Sequence, residues 1–139
     1  MKLKRHDAGF TLIELVIAML IVGILTAIAI PSYNAYIKRA NRTDATRTMT
    51  IDAQALERCY SQTFKYSNCA GAANSTLASA QGYYNVTIVS ADTPASYQIT
   101  AVPIKSPQTE DAACTTFTLD NSGLQGATPA GAQTCWGST

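Results

Sequence analysis

Few residues in this sequence have chemistry to offer. They are Cys59, Cys69, Cys114 and Cys135, the single histidine His6, and Glu14, a carboxylate set inside an apolar run. Zinc sites pair their ligands at a spacing of about two to four residues; no two of these cysteines stand so close, and His6 lies far upstream of them. Asp120-Asn121-Ser122-Gly123 gathers oxygen atoms and a glycine, but it is far short of a calcium-binding loop and reads as turn chemistry. No pair of carboxylates sits in a recognisable acid–base context, and glycine-rich phosphate loops are missing. The pattern points away from an enzyme, from a metal and from a cofactor.

Bridging is the better use of the cysteines. An even count in a small head downstream of an apolar segment suggests two disulfides, although four cysteines allow three connectivities. Cys59 and Cys69 are close enough in sequence to bridge, and Cys114 and Cys135 flank the last predicted hairpin. A bridge between that second pair would close a loop worth roughly 3 kcal/mol in the chain-entropy model. The alternative is buried free thiols in a cytosolic protein. Charge is nearly balanced over the 139 residues, at a formal +1, but unevenly placed. Lys38, Arg39, Arg42, Arg47, Arg58 and Lys65 form a basic band; beyond it Lys105 faces Asp92, Glu110, Asp111 and Asp120, a net of about −3 that repels polyanions.

The elements that position these residues start with the apolar run from Phe10 to Ile30, long enough as a helix of about 31 Å to cross the roughly 30 Å hydrocarbon core of a bilayer. Tyr33 and Tyr36 follow where interfacial aromatics sit. Lys2, Lys4 and Arg5 on one side are matched by Lys38, Arg39 and Arg42 on the other, so charge alone barely orients the span. Paired cysteines decide it, by placing the C-terminal part in an oxidising compartment. A carboxylate in hydrocarbon costs about 2.5–3.5 kcal/mol even on the lenient insertion scale, so Glu14 calls for a use. A cleaved secretory signal ending at Ala27-Ile28-Ala29, or a plain single-pass anchor, would each leave Glu14 unexplained.

MKLKRHDAG followed by FTLIELVIAMLIVGILTAIAIPSY resembles the class III signal of type IV prepilins: a short basic leader ending in glycine, then phenylalanine, then Glu at the fifth mature position. The resemblance implies cleavage by prepilin peptidase between Gly9 and Phe10, N-methylation of Phe10, and an assembly role for Glu14 as the partner of a neighbouring subunit's Phe10 amine. Such a pair would fix axial register, because unpaired charges in an apolar bundle are heavily penalised. It also implies helix flexibility between Gly23 and Pro31.

Further along, residues 32 to 62 lack glycine and proline. They carry Met49, Ala53, Leu56 and Tyr60 on one helical face, with Arg47, Thr50, Asp52 and Glu57 opposite, so one helix is expected from about Phe10 to Gln62. A separate second helix after Pro31 is the alternative. Residues 63–82 read as a loop. Strands are expected at 83–90, 96–102 and 115–120, with a short fourth near Leu124 to Ala127. Trp136 is expected to pack at the sheet edge.

The fold class expected is therefore α+β. A long N-terminal helix, membrane-spanning in its first half, packs on a four-stranded antiparallel sheet with a disulfide-bounded C-terminal region. The domains expected are a leader (1–9), a membrane and filament-core helix (10–30), and a head (31–139) with loop 63–82, sheet 83–127 and C-terminal loop 128–139. RCYSQTFKYSNCAG with CTTFTLDNSGLQG and CW is similar to minor pilins of the PilE and ComP type, and implies the pairings Cys59–Cys69 and Cys114–Cys135. The resemblance implies an inner-membrane subunit that moves to a surface filament serving adhesion, twitching motility or DNA uptake. Its partners would be other pilin subunits, prepilin peptidase, the assembly platform and the inner membrane. Two alternatives are a DNA receptor of the ComP kind, with the basic band as the one candidate surface, and a type II secretion pseudopilin.

Overall fold

A computed structural model of the chain describes residues 9–69 and 75–137. Residues 1–8, 70–74 and 138–139, and with them most of the expected leader and part of the expected loop 63–82, lie outside the described residues. Helix α1 spans Leu12–Thr63, followed by β1 (Thr76–Ala78), β2 (Tyr84–Asp92), β3 (Ala95–Pro103), a 3₁₀ turn at Gln108–Glu110, β4 (Cys114–Asp120), β5 (Gln125–Pro129) and the short α2 (Ala132–Trp136). The chain divides after Ala35 into two compact units.

Helix α1 starts where Thr11 caps it. The Glu14 N–H donates to Thr11 Oγ1 (3.3 Å), and Glu14 stands in the first turn, where a carboxylate complements the helix dipole. Through the first unit every described residue is exposed, and Pro31 is carried inside a helix of 52 residues, so no second helix begins there. The missing Pro31 N–H leaves one carbonyl of the preceding turn without its helical donor. At the other end Phe64 takes a left-handed conformation (φ 55°) and its N–H donates to the Tyr60 carbonyl (2.8 Å), a closing turn that usually employs glycine.

In the second unit α1 buries Ala45, Met49, Ala53 and Leu56. Against them the sheet presents Tyr84, Val86 and Ile88 of β2, Tyr97, Ile99 and Ala101 of β3, and Phe117 and Leu119 of β4. These are the alternate residues that a two-residue period sends to one face. Tyr60 is only partly buried against this core. Asp52, expected on the solvated face, is half-buried with Oδ2 lacking a hydrogen-bond partner, and burial pushes its carboxyl above the ordinary range.

The sheet is a meander in the order β1-β2-β3-β4-β5, antiparallel throughout, and so has five strands where four were expected. The additional strand, β1, lies in the stretch read as loop. It pairs only Thr76, Leu77 and Ala78 with β2, and all three are exposed, so no alternation of apolar residues marks it. The last strand runs over Gln125–Pro129, and the segment read as a C-terminal loop contains its end and α2. A bulge between Cys114 and Thr116 shifts the phase of β4 by one residue. Cys114 thereby faces inward with Phe117 although the two are three residues apart.

Candidate functional site

The first unit offers apolar surface and one acid. Phe10 is 86 % exposed and the helix through Ile30 is exposed on all sides. Among the described residues it is the one helix long and apolar enough to cross a membrane. Gly9 precedes it, and neither ion pair among the described residues involves Glu14. At Gly23 an added Cβ would meet nothing within 4 Å, and Thr26 Oγ1 donates to the carbonyls of Val22 (2.9 Å) and Gly23 (3.0 Å).

The second unit is held by bridges and buried polar groups. Cys59 is bonded to Cys69 and Cys114 to Cys135, so the first bridge pins the chain after α1 to its last turns and the second ties α2 to β4. Asp44, buried on α1, accepts from Ser79 Oγ (2.5 Å) and from the N–H groups of Gln81 (2.9 Å) and Tyr83 (3.4 Å), which fixes the approach to β2. Gln108 Nε2 donates to the Tyr84 hydroxyl (2.7 Å) and to the Lys38 carbonyl (3.1 Å). Nothing in the sequence marked Asp44 or Gln108, because a polar residue on a helix or in a turn reads as solvated.

The basic band does not act as one surface. Arg42 grips Asp111 through two hydrogen bonds (Nε to Oδ2 2.7 Å, Nη2 to Oδ1 2.9 Å), and its Nη1 donates to the Thr134 carbonyl (3.3 Å). Lys38 donates to the Glu110 carbonyl (2.9 Å) with the Glu110 carboxylate 4.0 Å away. Two of the acids that made the C-terminal part repulsive thus neutralise two bases of the band. Of the others, Asp120 accepts from Ser122 and Leu124 within its turn, and Asp92 accepts from the Ser67 N–H and hydroxyl; these bonds hold both carboxyls below the ordinary range. Lys105 stands over the Tyr83 ring at 5.5 Å. Arg39, Arg47, Arg58 and Lys65 stay exposed.

Two of these four cations edge a shallow groove between α1 and the β5–α2 segment. It consists of two adjoining cavities, of about 150 and 360 Å³, that share Thr46 and Trp136. Arg39 and Thr43 line the first; Arg47, Thr50, Ile51 and Gln125 line the second. Trp136 is fixed there by its indole N–H, which donates to the Gly126 carbonyl (2.8 Å), and by an edge contact with Phe117. Among the described residues no acid lines either cavity. The arrangement is cationic, rich in hydroxyls, and carries one aromatic face.

Comparison with known proteins places these features. A family profile described as "Type IV minor pilin ComP, DNA uptake sequence receptor" matches residues 31–118, and one for the prokaryotic N-terminal methylation motif matches residues 4–30. Fimbrial protein EcpC of Eikenella corrodens is 51 % identical over 43 residues, which are 31 % of this chain and 28 % of that protein. Prepilin peptidase-dependent protein D of Escherichia coli K12 is 39 % identical over 66 residues, 48 % of this chain and 45 % of that one. A type IV major fimbrial protein FimA of Dichelobacter nodosus is 42 % identical over 84 residues, 58 % of this chain and 51 % of that one, so the chain spans about half or less of these relatives. Among solved structures, a type IV pilin from Shewanella oneidensis superposes with a TM-score of 0.53 at 32 % identity, over 71 % of this chain and 97 % of that one. With the methylation motif on its apolar helix and the receptor profile over most of its head, the chain belongs to the type IV minor pilin ComP family.

Proposed function

We propose that this chain is a minor subunit of a type IV pilus, held in the inner membrane by its apolar helix and then moved into a surface filament. The observation that carries this is the apolar segment from Phe10 to Ile30, helical from Leu12 and exposed on all sides. Such a surface must be covered, by lipid before assembly and by the same helices of neighbouring subunits afterwards. In this reading prepilin peptidase cuts between Gly9 and Phe10, Phe10 is N-methylated, and residues 1–9, 10–30 and 31–139 are leader, filament-core helix and extracytoplasmic head. Glu14 pairs with the Phe10 amine of a neighbour, and Gly23 with Pro31 supplies the flexibility that assembly needs. An inner-membrane platform drives extraction, with adhesion, motility or DNA uptake as properties of the whole filament. Mass spectrometry of the N-terminus from sheared surface filaments tests it. A methylated Phe10 supports it; a mature chain beginning near Ile30 sinks it. Replacement of Glu14 by Val should leave the subunit in the membrane and absent from filaments.

A second reading, that the head binds DNA, is favoured by the receptor description of the matching profile together with four exposed cations on and just beyond α1. Affinity for DNA comes mainly from Lys and Arg reaching phosphates. Beyond Lys65 the chain contributes only Lys105, in the segment after β3, which is occupied with Tyr83. Retardation of duplex DNA by the full chain in nonionic micelles at low salt is the expected result, and no retardation removes this reading while leaving the first intact.

A further inference from the structure

We infer that the groove between α1 and the β5–α2 segment is the DNA-contacting surface, with Arg39 and Arg47 reaching phosphates and Trp136 offering the face on which a base rests. The inference depends on the DNA reading above and narrows it to one place. Four exposed cations are available, but they are not equivalent. Lys65 lies next to Asp92, whose carboxyl it helps to keep ionised, so its charge is partly spent. Arg58 lies next in sequence to Glu57, whose carboxylate accepts from the Tyr66 hydroxyl (3.1 Å). Arg39 and Arg47 instead edge cavities without an acid among the described lining residues, and the third arginine there, Arg42, is neutralised by Asp111.

A positive groove that tracks the backbone, combined with an aromatic face for bases, is the arrangement by which proteins hold nucleic acid strands. Arg39 and Arg47 are eight residues apart on one helix, a rise of about 12 Å, enough to reach separate phosphates. Thr43 and Thr46 bring hydroxyls between them, and Thr50 adds one beyond Arg47. Trp136 is already fixed by its indole hydrogen bond and by Phe117, so little ordering is required when a base meets it.

Trp136 is the chain's single tryptophan, so its fluorescence reports this groove and no other surface. The full chain in nonionic micelles is titrated with a short duplex and with the matching single strand at several salt concentrations. DNA is expected to quench Trp136. Arg39→Gln and Arg47→Gln should each weaken binding and lower the salt slope by about 0.9, the contribution of one phosphate contact. Gln125→Glu, which keeps the side chain's shape on an exposed strand and adds one negative charge to the groove wall, should weaken binding without altering thermal unfolding. Lys65→Gln and Lys105→Gln should bind as the parent does. If the parent binds DNA while Trp136 stays silent, or while Lys65→Gln weakens binding as much as the arginine variants, the contact lies elsewhere: this inference falls and the DNA reading stands. If Arg39→Gln and Arg47→Gln reduce surface filaments with DNA affinity unchanged, the groove is a contact between subunits and the inference is again overturned. If the parent binds no DNA at low salt, both fall together.

Discussion

Replacing Arg42 by Ala should destabilise the head more than any other single change on the exposed side of α1. The Asp111 side chain is 4 % exposed and Arg42 12 %, so the pair is nearly out of water, and the two bonds at 2.7 and 2.9 Å are a matched fork. Removing one partner of such a pair costs about 3–5 kcal/mol, because the remaining carboxylate is buried without a counter-charge. The slight exposure of Arg42 puts the expectation at the low end, about 3 kcal/mol, against a total of about 5–15 kcal/mol for a domain of this size. For roughly a hundred residues that lowers the melting temperature by about 14 °C. The Lys38–Glu110 pair is the control: at 4.0 Å, with Glu110 67 % exposed, Glu110→Gln should cost under about 1 kcal/mol. Urea unfolding of the full chain in nonionic micelles, followed by Trp136 fluorescence, measures both. A joint replacement of Arg42 by Met and Asp111 by Leu removes both charges and should recover most of the loss. An Arg42→Ala variant within about 1 kcal/mol of the parent, or a double variant no better than the single one, refutes the reasoning.

Three further outcomes are expected. Replacing Cys114 and Cys135 by Ser should cost more than replacing Cys59 and Cys69: the sequence separations are 21 and 10, worth about 3.4 and 2.8 kcal/mol in chain entropy, and the first pair also leaves two hydroxyls in the core, as paired urea titrations would show. Because burial raises the folded pKa of Asp52, the charged form opposes folding, and stability falls as pH rises from the unfolded value of 3.8 through the folded one; Asp52→Asn should therefore be more stable than the parent at pH 7, with the gain absent below both values, as urea titrations at the two pH extremes would show. Phe64 is 75 % exposed in a left-handed conformation that disfavours a side chain by about 1–2 kcal/mol, so Phe64→Gly should raise stability by about 0.5–1 kcal/mol once its edge contact with Tyr60 is lost; a fall in melting temperature would show that the ring contact outweighs the relief of backbone strain.

The helix and three of the strands were legible because each announces itself by a period, while the fourth, β5, was read from the turn at Asn121-Ser122-Gly123 that precedes it. Met49, Ala53 and Leu56 recur along one face of α1, and Val86 with Ile88, Ile99 with Ala101, and Phe117 with Leu119 alternate. Strand β1 had no period to show, being three exposed residues whose pairing depends on β2. The bulge in β4 is a relation between two strands, and neither strand carries it alone. Asp44 was hidden for another reason. Its three donors, Ser79, Gln81 and Tyr83, come from a segment 35 residues and more away, and until that segment folds back a helical aspartate is indistinguishable from a solvated one. The same holds for the groove, since Arg39 and Trp136 are distant in sequence and meet only through the C-terminal return of the chain. The basic band was visible as composition, but Glu110 and Asp111 decide which of its members remain free.

The C-terminal segment shows how the head makes a defined surface from a weak element. Helix α2 has five residues, too few to be stable by itself, since isolated helices are marginal even at about 12–15 residues. Its position comes from outside: the Cys114–Cys135 bond, the Trp136 indole donating to Gly126, and the Arg42 guanidinium donating to Thr134 each anchor a different side of it. Three anchors on five residues leave little freedom, so the groove wall formed by Thr134 and Trp136 is set before any ligand arrives. The rim residues Arg39, Arg47 and Gln125 belong to none of these anchors. Charge on the rim can therefore change by substitution while the wall keeps its place, so the groove can be retuned without rebuilding the fold that carries it.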